Sequence, residues 1–81
     1  MPYISPTRRA DIDNGTDAPD TEGELNYALS MVMIRYLKKK GFSYATFNAI
    51  IGAIEGAKME FERRVVFPYE DIKIRQNGDI Y

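Results

Sequence analysis

The sequence predicts a mainly α-helical fold: two long antiparallel helices with an irregular N-terminal arm and a short C-terminal strand or hairpin, assembled as a homo-oligomer. Apolar residues recur every three or four positions across residues 21–67, which is the helical period. Prolines and one Asn-Gly pair interrupt residues 1–20. In residues 68–81, apolar and basic residues alternate before a second Asn-Gly pair. We therefore expect a single domain, 1–81, made of an arm (1–20), a helical hairpin (21–67) and a tail (68–81).

The arm is acidic and poor in apolar residues. Pro6 is well placed to begin a short helical turn over residues 7–13. Residues 1–24 carry a net charge of −4 and the remainder carries +3. This split favours contacts between segments of opposite charge and argues against an extended nucleic acid as a partner, whereas a small anion needs only a few arginines.

The first long helix has clear signals at both ends. Thr21 and Glu24 have the spacing of a capping box, so the helix is expected to start there. It should run to Lys40 and stop at Gly41, with a basic last turn facing the negative end of the helix dipole. Residues 27–37 are apolar on almost every side, and such a helix must be covered all round. A second subunit is the simplest cover, and a core within one subunit is the alternative.

The second long helix is expected to begin after Ser43 as cap and to end near Val66, because Pro68 disfavours helical geometry at Phe67. One face carries large apolar side chains. The other face carries small residues, including two glycines that destabilise a helix relative to alanine. Close approach of another backbone or a ligand usually compensates for such glycines, so we expect one there. These small residues are Ala49, Gly52, Ala53 and Gly56.

In the tail, apolar and basic residues alternate over residues 72–75, and Asn77-Gly78, a strong hairpin signal, follows them. A hairpin with a return strand of only a few residues is weak on its own. We therefore expect the tail to pack on the helices or on a neighbouring chain.

Four stretches together resemble a family of small bacteriophage proteins of unassigned function: "MPYI", "GELNYA", "SYATFNAIIGAIEGAKMEFERR" and "PYEDIKIRQNGDIY". The family pattern is a Gly-Glu-Leu-Asn-Tyr start, a Gly-x-x-Glu-x-x-Lys-x-Glu-Phe-x-Arg-Arg helix and a Tyr-Glu-Asp-x-Lys tail that closes on Asn-Gly-Asp-(Val/Ile)-Tyr. The chain departs from it over residues 10–20, which are more acidic and loop-like, and at Glu62, where an aromatic residue is common. The resemblance implies a phage origin and no particular activity.

Catalysis is not expected. The chain has no Cys and no His, and its serines lack a partner base, so hydrolytic triads are excluded and neither a metal nor another cofactor is predicted. Asp71 and Lys73 form an acid-x-Lys string that is similar to a nuclease signature, but such nucleases need several strands. Ordinary surface charges are the simpler interpretation.

Binding has more residues in its favour. Basic side chains can hold phosphate, tyrosines can stack on bases, and asparagines can reach base or ribose edges. The predicted ligand-binding set is Arg8, Arg9, Asn26, Tyr27, Lys58, Arg63, Arg64 and Tyr69. In the competing interpretation Glu60 pairs with Arg64, the tyrosines cover a subunit interface and the asparagines cap turns. Which of Arg63 and Arg64 would meet a ligand stays open.

Together these features predict a phage-encoded, non-catalytic, oligomeric binding protein in the host cytoplasm that sequesters a host small molecule. A nucleotide immune signal, as for an anti-defence sponge, is the leading ligand, by analogy with small oligomeric phage proteins of that class. Its partners would be its own copies and a phosphate-bearing small molecule, with no membrane partner because no apolar run is long enough to span a bilayer. The alternatives are an inhibitor that binds a host protein and a virion accessory protein.

Overall fold

The computed structural model describes residues 4–81, and it is mainly helical. The first three residues of the predicted arm, with most of the "MPYI" stretch, lie outside the described residues. The elements in chain order are α1 (Pro6–Asp13), α2 (Glu22–Lys40), α3 (Tyr44–Phe61), a π-helical segment (Glu62–Val66) and α4 (Phe67–Asn77). The chain divides into two units, Met1–Phe47 and Asn48–Tyr81.

In the first unit, α1 packs on α2. Ser5 caps α1, since its Oγ accepts a hydrogen bond from the Arg8 backbone N–H at 3.2 Å, and Pro6 occupies the first turn, where a missing N–H costs nothing. The helical turn expected over residues 7–13 is therefore confirmed and forms a complete short helix.

The predicted bounds of α2 are confirmed. Thr21 Oγ1 accepts from the Glu24 N–H at 3.1 Å, and Gly41 ends the helix with a φ of 101°, a conformation that glycine adopts without a Cβ clash. Ser43 begins α3 as expected, because its Oγ accepts from the Thr46 N–H at 3.2 Å. The Phe47 ring packs edge-on against the rings of Phe42 and Tyr44, at centroid distances of 5.0 and 6.0 Å.

The prediction that the second long helix ends before Pro68 is wrong. The backbone stays helical from Tyr44 to Asn77, and it passes through the π-helical segment just before the proline. The Phe67 N–H donates to the Glu62 carbonyl, five residues back, which is the π-helical hydrogen bond. In a regular α-helix the ring of Pro68 would clash with the carbonyl four residues before it, and the π-helical geometry avoids this clash. Pro68 then lies in the first turn of α4, where proline is accepted.

The predicted C-terminal strand or hairpin is also wrong for the residues that the structure describes. The segment expected to alternate as a strand is α4, and Asn77-Gly78 ends that helix instead of turning a hairpin. Gly78 has a φ of 84° and donates its N–H to the Ile74 carbonyl at 2.8 Å, a helix-ending bond. Ile80 and Tyr81 beyond it are exposed.

Large apolar side chains are exposed in both units. Among residues 4–81 no hydrophobic residue is buried, and the buried residue of this part of the chain is Thr46. A Cβ added at Gly52 or Gly56 would meet nothing within 4 Å outside the helix backbone, so no segment of residues 4–81 makes the predicted close approach there. None of the helices in the described range combines the length and apolar character needed to cross a bilayer.

Candidate functional site

Arg8 is the centre of a polar cluster in the first unit. Its Nε donates to Glu24 Oε1 at 2.7 Å, its Nη1 donates to Asp17 Oδ2 at 2.8 Å, and its Nη2 donates to the Ala18 carbonyl at 2.6 Å. The guanidinium thus joins α1 both to the loop before α2 and to the first turn of α2. Its side chain is 19% exposed and that of Glu24 is 14% exposed, so these two groups are largely shielded.

The Glu24 carboxylate completes this cluster. The same Oε1 accepts the Asp20 backbone N–H at 2.8 Å, where a capping box would have used the N–H of Thr21. Its hydrogen bond with Arg8, aided by the Asp20 N–H, holds the pKa of Glu24 below its usual range. Arg8 lowers the pKa of Asp17 in the same way, with help from the Ala18 N–H, and the two carboxylates raise the pKa of Arg8.

A second pairing ties α2 to the end of α1. The Tyr27 hydroxyl donates to Asp13 Oδ2 at 2.7 Å, and Arg35 Nη1 lies 3.9 Å from Asp13 Oδ1. The hydrogen bond to a carboxylate is the main cause that raises the pKa of Tyr27, while the charges of Arg9 and Arg35 act in the opposite direction. Asn26 is exposed on α2, and its backbone carbonyl accepts from the Ser30 hydroxyl at 2.8 Å.

Two predicted ligand contacts are therefore occupied within their own unit. Arg8 is held by two carboxylates, and Tyr27 is held by a third. A phosphate arriving at Arg8 would have to displace Asp17 or Glu24 from the guanidinium. These contacts give Arg8 and Tyr27 the role of fixing α1 on α2.

In the second unit the predicted basic residues lie on α3 and the π-helical segment. Arg64 Nε donates to Glu60 Oε2 at 2.7 Å, which confirms the expected i,i+4 pair, and Lys58 Nζ lies 3.7 Å from Glu55. Within residues 4–81 no ion pair or hydrogen bond engages the side chain of Arg63, which is exposed. Between the two arginines, Arg63 is the one whose guanidinium is available. The π-helical geometry around it is a feature often found at functional sites.

A groove of about 470 Å³ runs along α4 and the residues that follow it. Tyr69, Lys73 and Asn77 line it from the helix, at the i, i+4, i+8 spacing that puts side chains on one face. Lys73 Nζ lies 5.5 Å from the centroid of the Tyr69 ring, in cation–π range. The segment beyond the helix contributes Tyr81 to the lining. We call this feature the α4 groove.

The turn at Gly78 shapes the other side of the α4 groove. Because the helix ends there with positive φ, the last residues leave the helix axis, and Asp79 Oδ1 accepts the Tyr81 N–H at 3.2 Å. The lining also contains apolar and acidic side chains from both sides. They are Glu70, Ile74, Asp79 and Ile80.

Of the predicted site residues, Tyr69 lines the α4 groove. The predicted ligand-binding set did not include Lys73, Asn77 and Tyr81. In the expected strand Tyr69 and Lys73 would lie about 13 Å apart, whereas in a helix they are about one turn apart. The four-residue spacing from Tyr69 to Asn77 was the signal that could have found them. Asp71 and Lys73 lie on this helix too, so the acid-x-Lys string is not on a strand.

The model of one protein family, described as a domain of unknown function (DUF6899), matches residues 1–80. The chain belongs to this family. The expectation of a family with no assigned function is confirmed at that level, and a phage origin stays a prediction. No curated protein and no solved structure matches the chain.

Proposed function

We propose that this DUF6899 chain is a non-catalytic binding protein that sequesters a small phosphate-bearing molecule of the nucleotide class. The observation that carries the proposal is the α4 groove, where Tyr69, Lys73 and Asn77 share one helix face with Tyr81 beyond it. Its volume of about 470 Å³ falls within the range of pockets that hold small molecules.

The mixed chemistry of the α4 groove suits the separate parts of a nucleotide. The rings of Tyr69 and Tyr81 offer stacking faces for a base, and Asn77 offers both a donor and an acceptor for a base edge. Asp79 can accept hydrogen bonds from ribose hydroxyls, as carboxylates do in dinucleotide sites. Lys73 is the cation of the lining and would meet a phosphate.

The acidic members of the lining limit how much phosphate the α4 groove can hold unaided. Glu70 and Asp79 outnumber Lys73, so a ligand with several phosphates needs further cations. Arg63 on the π-helical segment and Arg75 on α4 are exposed arginines of this unit that no ion pair or hydrogen bond engages within residues 4–81, and a neighbouring copy would bring its own. The proposed protein is therefore an oligomer that binds its ligand with residues from more than one copy.

The biological part of the proposal follows from the resemblance to small phage proteins. A phage protein of this kind would act in the host cytoplasm and hold a nucleotide immune signal away from its receptor, as an anti-defence sponge does. The antiparallel arrangement of the two long helices stays a prediction.

Calorimetric titration with cyclic oligonucleotides and ADP-ribose derivatives tests the ligand class. If one binds, Lys73→Ala should weaken its binding by roughly 10- to 150-fold, since a charge-assisted bond contributes about 1.5 to 3 kcal/mol. Lys38→Ala is the control, because Lys38 is an exposed lysine outside both the groove lining and the predicted ligand-binding set. Equal losses in the two variants would place the ligand elsewhere.

Mass spectrometry of small molecules released from denatured protein, purified from infected or signal-producing cells, tests sequestration directly. An intact nucleotide supports the proposal, and cleavage products would point to an enzyme instead. No bound molecule, together with no heat from any member of the panel, would overturn it.

A second candidate function is inhibition of a host factor by direct contact. The observation that favours it is the exposure of large apolar side chains throughout residues 4–81, since patches of this kind mark protein interaction surfaces. Stable complex formation with one host protein, in the absence of any small-molecule binding, would favour this function over sequestration.

A further inference from the structure

One face of α2 carries an apolar stripe. Leu25, Leu29, Val32 and Tyr36 follow one another at intervals of four, three and four residues, so at about 100° per residue they fall within about 60° of each other. Each of the four is between 41 and 53% exposed. We call this stripe the α2 seam. The spacing is that of side chains that interlock between two packed helices.

The α2 seam lies away from the contacts that α2 makes with α1. Tyr27, which bonds to Asp13 of α1, lies about 170° around the helix from the centre of the seam. The packing of α1 on α2 therefore leaves the four seam residues exposed, as their accessible surface records.

The two ends of α2 carry opposite charge. Glu22 and Glu24 lie in the first turn, and Lys38, Lys39 and Lys40 form the last turn. Glu22 and Lys40 are five helical turns apart, at about the same angle around the helix and about 50° from the centre of the α2 seam. Both therefore flank the seam on one side, one at each end.

We propose that the α2 seam pairs with the same seam of a second copy, with the two helices antiparallel. In this register Leu25 lies opposite Tyr36 of the other copy and Leu29 opposite Val32. The two-fold symmetry brings Glu22 of each copy beside Lys40 of the other, because both residues flank the same side. Antiparallel pairing also sets the opposite ends of the two helix dipoles together.

The charges at the two ends of α2 favour a second copy of the chain as the partner of the α2 seam, in the antiparallel direction. Parallel pairing would bring the Glu22 residues of both copies to one end, across the seam from each other, and the Lys40 residues to the other end, and like charges gathered at one end are destabilising. Antiparallel pairing satisfies both ends with charges that the chain already carries. This inference rests on the self-assembly in the proposed function and is independent of its ligand.

Light scattering and sedimentation of the full chain test the apolar contact. Leu29→Asp should raise the dissociation constant of the dimer by about 100-fold or more, because the carboxylate would be buried only in the paired state. Ile34→Asp is the matched control: Ile34 is 40% exposed on the same helix, about 170° from the seam centre, and its substitution should leave the association unchanged.

Charge reversal tests the direction of pairing. Glu22→Lys and Lys40→Glu alone should each weaken association by roughly 2- to 5-fold, and the double variant should recover the wild-type value. If Leu29→Asp dissociates the dimer but the double variant recovers nothing, the antiparallel register is wrong.

Two other outcomes would overturn the pairing itself. A wild-type mass of one subunit at all concentrations would refute both this pairing and the self-assembly in the proposed function. A wild-type oligomer that Leu29→Asp leaves intact would refute the pairing alone. The ligand titration with Lys73→Ala is a separate readout, because it tests the α4 groove, whereas Leu29→Asp tests the α2 seam.

Discussion

At the scale of single residues, Arg8 organises the first unit. Its guanidinium reaches carboxylates 9 and 16 positions away along the chain, and it also binds a backbone carbonyl between them. A fork of several donors in a fixed plane can hold such partners together, which a lysine cannot do. Arg9, the next residue, is exposed and makes no contact of this kind within residues 4–81. Neighbouring arginines of identical type thus differ in role because α1 points them in different directions.

Acid should weaken this cluster. The pKa values of Asp17 and Glu24 are lowered in the folded chain from their ordinary values of 3.8 and 4.5. The unfolded chain therefore takes up protons first as the pH falls, so the stability from these pairs is present above about pH 4.5 and is lost progressively below it. We expect the melting temperature, followed by circular dichroism, to stay level between pH 7 and about pH 5 and to fall from about pH 4.5 towards pH 3.

Two variants separate this cluster from the other carboxylates. Arg8→Ala should lower the melting temperature at neutral pH and flatten its decline in acid, because the carboxyls then lose the partner that lowers their pKa. Arg9→Ala should keep the wild-type pH profile. The same decline in wild type and in Arg8→Ala would show that other groups control acid stability.

At the scale of elements, the π-helical segment decides what the last part of the chain becomes. It allows the helix to pass Pro68, so residues 67–77 form α4 and Tyr69, Lys73 and Asn77 share a face. Had the chain broken at Phe67 and continued as a strand, Tyr69 and Lys73 would have been about 13 Å apart along the chain instead of about one helical turn apart. The α4 groove therefore depends on the helix continuing.

A proline within α4 tests this continuation. Ile72→Pro should cost about 3 kcal/mol of helix stability and remove helical signal at the 222 nm band of circular dichroism, since proline lacks the N–H and clashes with the preceding turn. Ile72→Ala, which substitutes a good helix former, should retain the signal. An unchanged spectrum in Ile72→Pro would contradict a helical α4.

For the whole molecule, the main feature is that many large apolar side chains are exposed to solvent. Both units present large apolar side chains, and no hydrophobic residue within residues 4–81 is buried. Burying one such side chain fully is worth about 1.5 to 3 kcal/mol, so covering several of them would stabilise the chain strongly. Association of copies is the cover that we propose.

If copies associate on folding, the melting temperature should depend on protein concentration. Mass action stabilises a folded oligomer as concentration rises, so thermal denaturation over about a 100-fold range of concentration should move the midpoint upward. Leu29→Asp should reduce this dependence and Ile34→Asp should not. A midpoint that is independent of concentration in the wild type would indicate a folded monomer.

Residue types and their spacing were enough to predict the helical class and most helix ends. Thr21, Gly41 and Ser43 were identified as caps from residue type and spacing, and all three cap as expected. Such signals are readable because a cap acts on backbone groups within a few residues of itself. The Glu60–Arg64 pair belongs to the same class, since its partners are one helical turn apart.

The partners that lie far apart in sequence and the course of the chain at Pro68 could not be predicted from residue types and spacing. The contacts of Arg8 with Asp17 and Glu24 depend on how α1 packs on α2, which residue types do not encode locally. The helical course past Pro68 depends on a π-type hydrogen bond that competes closely with a helix end, so the local preference of the residue before a proline misled the prediction. The α4 groove followed from that second event, because a helix sets successive members of the row Tyr69, Lys73 and Asn77 about one turn apart, whereas a strand would space them about 13 Å apart.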